Sequence, residues 1–381
     1  MYDTFVIFYT ANYCQNIKAY FEVDKLIASG IRVEFWDLSD ITVNESLTPV
    51  HSKGLKEVRI STISELEQNI KRVNELRCLF LSFVNFAPYS LRVYRMLSKH
   101  KCDILYATSG VLPSRPNDSS RIQRIFAKYK LKTIFKILLL KLASKIQHFV
   151  AAKYVLMSCN KAVCDYKVSS DTIYLSCNSG DYNRYLSDGK GEIKNQIVFI
   201  DQYTPFHNDY TLKGWRHISP EKYYKALNAF FSNIEKRYNC EVVICAHPSA
   251  LKYKEKDYFE GRRIFYNDIS RQVSQSLGVI AQFSTAISFP VMDNKPIILI
   301  TTDEMNELHP HFASFESYLA EILNVPMVNI DEISYFEFKD IDTKAYNDYF
   351  MNYLTTPKMK GCSNADVLIA IAKGNYKQFI Y

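Results

Sequence analysis

Three short segments in the second half of the chain place polar side chains directly after apolar runs. They read FIDQYTPFHND at 199–209, CAHPSA at 245–250 and QFSTAISFPVMDNKP at 282–296. A short apolar run bounded by turn residues predicts a buried strand, and open α/β sheets bind ligands outside the carboxyl ends of their strands. The three segments are therefore the candidates for residues that carry out chemistry.

In the first segment, Asp201 follows the apolar run IVFI and should emerge at a strand end. A carboxylate there can act as a general base or as a nucleophile in group transfer. His207 and Asp209 come shortly after it, so we predict Asp201, His207 and Asp209 as the catalytic set. The alternative is that Asp201 caps a turn and that His207 is an ordinary loop residue.

In the second segment, His247 comes directly after a predicted strand and is followed by Pro248. Proline restricts the backbone, which should hold the histidine in one place. An imidazole can hydrogen-bond to a phosphate or pair with its charge. The alternative is a histidine that serves only the core or a turn.

In the third segment, Gln282, Ser284 and Thr285 stand between a predicted strand and a predicted helix. Hydroxyls and backbone N–H groups at a helix N-terminus can bind an anion. Simple N-capping uses the same residue types and is the alternative.

Other nucleotide and metal signatures are missing from the sequence. It has no G-x-G-x-x-G and no Walker A loop, which argues against dinucleotide oxidoreductases and P-loop kinases. The usual His/Cys/Glu metal spacings are absent, and the D-x-D at 340–342 lies in a weakly patterned acidic region. We therefore expect no metal and no cofactor.

The elements around these segments alternate between short apolar runs and helical patterns. Examples are the predicted strand at 5–9, the helical stretch at 17–28 and the long helix at 220–238. Repetition of this kind predicts parallel sheets covered on both faces. We predict an α/β protein of two Rossmann-like domains that face a cleft. The boundaries are 1–190, 191–350 and a closing helix within 351–381, with the polar stretch at 187–195 as the linker.

The bulk properties fit this organisation. The chain has 381 residues, of which 48% are hydrophobic and 23% charged, as in ordinary globular proteins with a sizeable core. It has nine cysteines without a CxxC, an N-terminus unlike a signal peptide and no apolar stretch of about 20 residues. We therefore expect a cytoplasmic protein.

One segment is strongly basic. Residues 119–160 contain nine Lys or Arg, from Arg121 to Lys153, and no Asp or Glu, and apolar residues are interleaved with them. This predicts a basic amphipathic helix near 119–150 that can lie on an anionic membrane surface. The alternatives are a solvated surface helix and nucleic-acid binding. No nucleic-acid fold pattern accompanies the charge, so we expect no nucleic-acid partner.

The order of an Asp at a strand end, then His247-Pro248, then Ser284-Thr285 resembles bacterial glycosyltransferases of the GT-B architecture that use CMP-sugars. These include bacterial sialyltransferases, polysialyltransferases and Kdo transferases of surface polysaccharides. The resemblance covers about residues 175–300. The stretch NSGDYNRYL at 178–186 also resembles one that is common in surface-polysaccharide transferases. The sialyltransferase pattern has two adjacent acids followed by Gly, whereas here Gln202 follows Asp201.

The resemblance implies that the acidic residue serves catalysis and that the His-Pro and Ser-Thr motifs bind phosphate and cytidine. The expected reaction moves a sialic-acid-like nonulosonate or Kdo from a CMP-sugar to a surface glycan. The expected partners are the sugar nucleotide, a glycan or lipid-linked acceptor bound by the N-terminal domain, and the inner membrane through the basic helix. The alternatives are a UDP-sugar hexosyltransferase, a sugar-nucleotide epimerase, and a non-catalytic membrane-associated assembly protein.

Overall fold

The computed structural model describes residues 1–43, 46–108, 111–113, 149–332 and 336–381. Most of the predicted basic helix near 119–150 lies outside these residues. The chain divides into two compact units. Of the described residues, the first unit contains those of 1–111, 149–184 and 351–381, and the second contains 112–113 and those of 185–350.

The first unit is built on a seven-stranded sheet in which every pairing is parallel. Its strands run in the order β3-β2-β1-β4-β5-β6-β7. Their bounds are β1 Thr4–Tyr9, β2 Arg32–Asp37, β3 Lys56–Arg59, β4 Cys78–Ser82, β5 Ile104–Ala107, β6 Tyr154–Met157 and β7 Ile173–Ser176. Alternate residues of β1 belong to two separate hydrophobic clusters, so apolar side chains cover both faces of this sheet.

Within the described part of this unit, five helices connect these strands or follow them. They are α1 Gln15–Phe21, α2 Val23–Ala28, α3 Ile63–Asn74, α4 Leu91–Lys99 and α5 Gly180–Ser187. The stretch at 17–28, predicted as one helical pattern, is two helices because Glu22 adopts a left-handed conformation with φ of 47°. Its apolar residues still share one buried side, which explains why the sequence pattern runs through the break.

The second unit repeats this arrangement with six parallel strands. Their bounds are β8 Gln196–Ile200, β9 Glu241–Cys245, β10 Ile264–Phe265, β11 Gly278–Ala281, β12 Ile297–Thr301 and β13 Met327–Asn329. The spatial order β10-β9-β8-β11-β12-β13 is that of a Rossmann sheet. The order reverses between β8 and β11, and such a reversal opens a crevice at the carboxyl ends of the two strands.

Among the residues described for the second unit, seven helices follow its strands. They are α6 Asn208–Lys213, α7 Pro220–Tyr238, α8 Ile269–Ser274, α9 Ser288–Met292, α10 Asp303–Leu308, α11 Pro310–Leu323 and α12 Thr343–Tyr353. The long helix α7 has the bounds that the sequence predicts, with a cap by Ser219 and Pro220 in its first turn. Its buried face packs on the sheet.

The C-terminal segment completes the first unit. Its helix α13, Asn364–Lys373, is the predicted closing helix. The Asn364 side chain donates hydrogen bonds to the carbonyl oxygens of Tyr20 and Asn178, which ties α13 to the first sheet and its helices. Within the described residues, we find no helix with the length and apolar character needed to span a membrane.

Candidate functional site

A cavity of about 450 Å³ lies in the second unit, at the carboxyl ends of β8, β9 and β11. This is the place where the strand order reverses. Five of the eight predicted site residues line it, and the structure brings them together from three separate segments: His207, Asp209, His247, Ser284 and Thr285. The other three, Asp201, Pro248 and Gln282, are not among the lining residues.

The ring of His247 is held by the turn that follows β9. Its Nδ1 lies 3.2 Å from the backbone nitrogen of Ser249 and 2.6 Å from the Ser249 hydroxyl. Since Nδ1 accepts the backbone N–H, the proton of the neutral ring is on Nε2. Burial, and after it the nearby His207, lower the pKa of His247 to about 3. His247 therefore offers a neutral N–H donor to the cavity.

His207 caps α6 and stands beside His247. Its Nδ1 accepts the backbone N–H of Asp209 at 3.1 Å, so its neutral form also carries the proton on Nε2. The centroids of the two imidazole rings are 5.2 Å apart. The side chain of Asp209 lines the same cavity from the first turn of α6. Two imidazoles and a carboxylate therefore share one wall.

Asp201 lies behind this wall, with 3% of its surface exposed. Its carboxylate accepts hydrogen bonds from the Tyr203 backbone at 3.0 Å, the Tyr253 hydroxyl at 2.9 Å and the His247 backbone at 3.5 Å. Burial raises its pKa to about 6. The carboxylate thus accepts a hydrogen bond from the backbone of His247, and its side chain is not among those that line the cavity. That Asp201 is catalytic stays a prediction.

Ser284 and Thr285 begin the helical segment after β11. The Ser284 hydroxyl accepts the backbone N–H of Ala286 at 3.3 Å, which caps a 3-10 turn, Thr285–Ile287, that leads into α9. The capping alternative is therefore present in the structure. Capping uses the oxygen as an acceptor and leaves the O–H able to donate, and both residues line the cavity.

Gln282 is completely buried and acts inside the protein. Its side-chain oxygen accepts hydrogen bonds from the hydroxyls of Thr204 at 2.8 Å and Tyr223 at 2.9 Å. It therefore ties the loop after β8 to α7 and has no surface for a nucleotide. Pro248 belongs to the turn that carries His247, and it is not among the residues that line the cavity.

The far wall of the cavity comes from residues that the sequence analysis does not single out. Phe283 and Phe315 stack with ring centroids 5.1 Å apart, and Trp215 lies 4.9 Å from the His311 ring. Most of this wall belongs to α11, which begins at a second His-Pro pair, His309-Pro310. That dipeptide and the aromatic residues around it are the signal that could have identified the wall.

Glu316 of α11 is the other residue missed. It lines the cavity and is 1% exposed. Its Oε1 accepts the backbone N–H of Phe283 at 3.1 Å, and its Oε2 has no hydrogen-bond partner among the residues that the structure describes. Burial raises the pKa of this carboxyl to about 8. At neutral pH it is therefore mostly protonated.

The described part of the chain contains no cluster of metal-ligating side chains. There, no three His, Cys, Asp or Glu side chains lie together as a metal ion would require. That the reaction needs no metal and no cofactor stays a prediction.

Comparison with known proteins identifies the fold. No family model and no curated protein matches the sequence. Among solved structures, a variant of the wall teichoic acid polymerase TagF is similar over 99% of this chain and 89% of its own, with a TM-score of 0.57 and 12% identity. A TagF variant soaked with CDPG has a TM-score of 0.54, with the same coverage and identity.

A UDP-GlcNAc 2-epimerase from Methanocaldococcus jannaschii is a more distant match, with a TM-score of 0.47 and 10% identity over 97% of this chain and all of the other. Identities this low show the fold alone. The predicted fold class, α/β with two Rossmann-like units of the GT-B type, is confirmed.

Proposed function

We propose that the chain is a glycosyltransferase whose second unit binds a cytidine-activated sugar in the cavity. The observation that carries this proposal is the convergence of His207, His247, Ser284 and Thr285 on one cavity at the reversal of a Rossmann sheet. Rossmann sheets bind nucleotides at this place. The residues come from segments far apart in sequence, so their convergence is a property of the fold.

The chemistry of the lining suits a phosphate. The Nε2–H groups of His207 and His247 and the hydroxyls of Ser284 and Thr285 are hydrogen-bond donors. Donors fixed in advance around a departing phosphate stabilise the charge that develops as the sugar–phosphate bond breaks. Because His247 is neutral, it contributes through its N–H dipole. Asp209 is the predicted catalytic carboxylate that reaches the cavity, and we propose it as the proton acceptor for the acceptor hydroxyl.

The identity of the donor rests on the resemblance of the motifs and on the neighbour in fold. The His-Pro and Ser-Thr motifs resemble those of CMP-sugar transferases, and TagF has been soaked with CDPG, a cytidine nucleotide. We propose a CMP-linked nonulosonate or Kdo as donor and a surface glycan as acceptor, with the acceptor bound by the first unit.

Nucleotide release from a panel of activated donors tests this function. CMP-sialic acid, CMP-Kdo, CDP-glycerol and UDP-sugars are each incubated with the protein and mixed short glycans. We expect release of CMP from a CMP-sugar. The double variant Ser284→Ala/Thr285→Ala should be slower by about tenfold or more, because a hydrogen bond to a charged group contributes about 1.5–3 kcal/mol.

The exposed Ser170→Ala is the matched control and should leave the rate unchanged. Turnover of CDP-glycerol alone would support the cytidine nucleotide site but would show that the transferred group is not a sugar. Turnover of UDP-sugars alone would establish the hexosyltransferase or epimerase alternative, and turnover of none would favour the non-catalytic assembly protein.

We further propose that the protein works in the cytoplasm at the inner membrane surface, through the basic segment between Arg121 and Lys153. Substituting Lys128, Lys132 and Lys136 with Gln is expected to lower binding to anionic vesicles about a hundredfold at low salt, since each basic residue contributes about 1 kcal/mol near such a surface. Vesicle sedimentation measures this. Equal sedimentation of the wild type and the triple variant would contradict membrane binding through these lysines.

A further inference from the structure

Only one of the two carboxyl oxygens of Glu316 has a hydrogen-bond partner among the described residues. Oε1 accepts the N–H of Phe283, while Oε2 is buried without a hydrogen-bond partner among the described residues. A buried polar atom left unpaired costs about 1–3 kcal/mol, so native structures rarely keep one without a use. Glu316 lines the cavity, and the oxygen that the protein satisfies is held by the residue next to Ser284.

The surroundings of Glu316 hold its carboxyl neutral. Burial is the main cause of its raised pKa, and the one hydrogen bond from Phe283 does not offset it. Tyr210 of α6 and Tyr223 of α7 interact electrostatically with Glu316. The other titratable side chains that line the same cavity are His207, Asp209, His247 and His311. Burial raises the pKa of both phenols, so they stay neutral and supply no charge that would ionise the carboxyl.

A neutral carboxyl has a property that an ionised one lacks. It carries an O–H and can donate a hydrogen bond, whereas a carboxylate only accepts. Carboxylic acids kept protonated in an apolar site are known to serve as donors to developing negative charge. With Oε1 accepting from Phe283, the proton belongs on Oε2, the oxygen that lacks a partner.

We propose that Glu316 is a ligand-binding residue that donates a hydrogen bond from its protonated carboxyl to an anionic oxygen of the bound nucleotide. This rests on the proposed function, because it takes the nucleotide in the cavity as its partner. Glu316 joins the imidazole N–H groups and the hydroxyls as a further donor. Ionisation of the carboxyl removes the donor and places a negative charge against the phosphate, so nucleotide binding weakens at high pH.

Calorimetric titration with CMP between pH 7 and pH 9.5 tests this. The second ionisation of a phosphate monoester has a pKa of about 6, so CMP is mostly the dianion at pH 7 and its charge changes little up to pH 9.5. The wild type is expected to lose affinity on the order of thirtyfold, because binding to the protonated form alone weakens tenfold for each pH unit above a pKa of about 8.

Glu316→Gln is the decisive variant. Its amide oxygen can accept from Phe283 and its NH₂ replaces the O–H as donor, so its affinity should be near that of the wild type at pH 7 and should stay constant to pH 9.5. Glu321→Gln, an exposed change on the same helix, should keep the wild-type pH dependence.

The outcomes separate the two proposals. Constant affinity in the wild type, or a parallel loss in Glu316→Gln, overturns the role of Glu316 and leaves the nucleotide site standing. Binding of UDP instead of CMP, with the same pH dependence, supports Glu316 and revises the nucleotide. A protein that binds no nucleotide at any pH overturns both.

Discussion

Replacing His247 with alanine is expected to raise the dissociation constant for CMP about ten- to hundredfold, since a hydrogen bond to a charged group contributes about 1.5–3 kcal/mol. The Ser249 backbone holds Nδ1, and Asp201 holds the backbone of His247. The Nε2–H donor is therefore fixed before the ligand arrives, and its loss cannot be replaced by a small rotation of a neighbour.

Isothermal titration of the variant with CMP measures this effect. His247→Gln, which returns an N–H donor at a similar reach, should recover part of the affinity. His51→Ala is the matched control, because His51 is an exposed histidine of the first unit. Wild-type affinity in His247→Ala would remove this residue from the nucleotide site.

The second large effect concerns stability. Glu316→Gln is expected to make the second unit more stable than in the wild type at pH 8.5, with little difference at pH 4.5. The pKa of Glu316 is about 8 in the folded protein and about 4.3 in an unfolded chain. A raised pKa contributes stability that is fully present below pH 4.3 and is lost as the pH rises through 8. The glutamine has no proton to lose. The difference in the free energy of unfolding between Glu316→Gln and the wild type therefore grows with pH to several kcal/mol, up to about 5.

Urea unfolding at the two pH values, with tryptophan fluorescence as the readout, measures this difference in the free energy of unfolding. The protein has two tryptophans, Trp36 in the first unit and Trp215 in the second, so a Trp36→Phe background reports the second unit alone. Glu321→Gln in the same background controls for the loss of a carboxylate from α11. A midpoint difference that does not change with pH would show that Glu316 ionises normally.

Much of the fold follows from the sequence because the sheets are parallel and covered on both faces. Such strands are near-continuous apolar runs, as in IVFI of β8, and the strands predicted before the three candidate segments are present as β8, β9 and β11. The short strands β10 and β13, of two and three residues, carry too little pattern to be found. The break at Glu22 also escapes, because the apolar side runs across it.

The candidate site is predictable in part for the same reason. His247, Ser284 and Thr285 reach the cavity because parallel strands bring their carboxyl ends to one edge. The direction in which a side chain points just after a strand end does not follow from the same pattern. Asp201 turns inward because Tyr203, Tyr253 and the His247 backbone supply its hydrogen bonds, and these partners are scattered over more than 40 residues.

Glu316 is the clearest example of a site residue that the sequence pattern does not predict. In sequence it is one acidic residue in a helix, and only the packing of α11 against the residues after β11 makes it a buried, protonated group beside Ser284. The second His-Pro pair that precedes α11 marks the segment. It does not indicate which residue of the segment reaches the cavity.

Titration of the wild-type protein with CMP, UDP and GDP at pH 7 tests the central proposal most directly. We predict binding of CMP, with UDP and GDP at least tenfold weaker, and loss of the CMP signal in His247→Ala. Equal binding of all three nucleotides, or CMP binding that His247→Ala leaves unchanged, would contradict a cytidine nucleotide site in the cavity of the second unit.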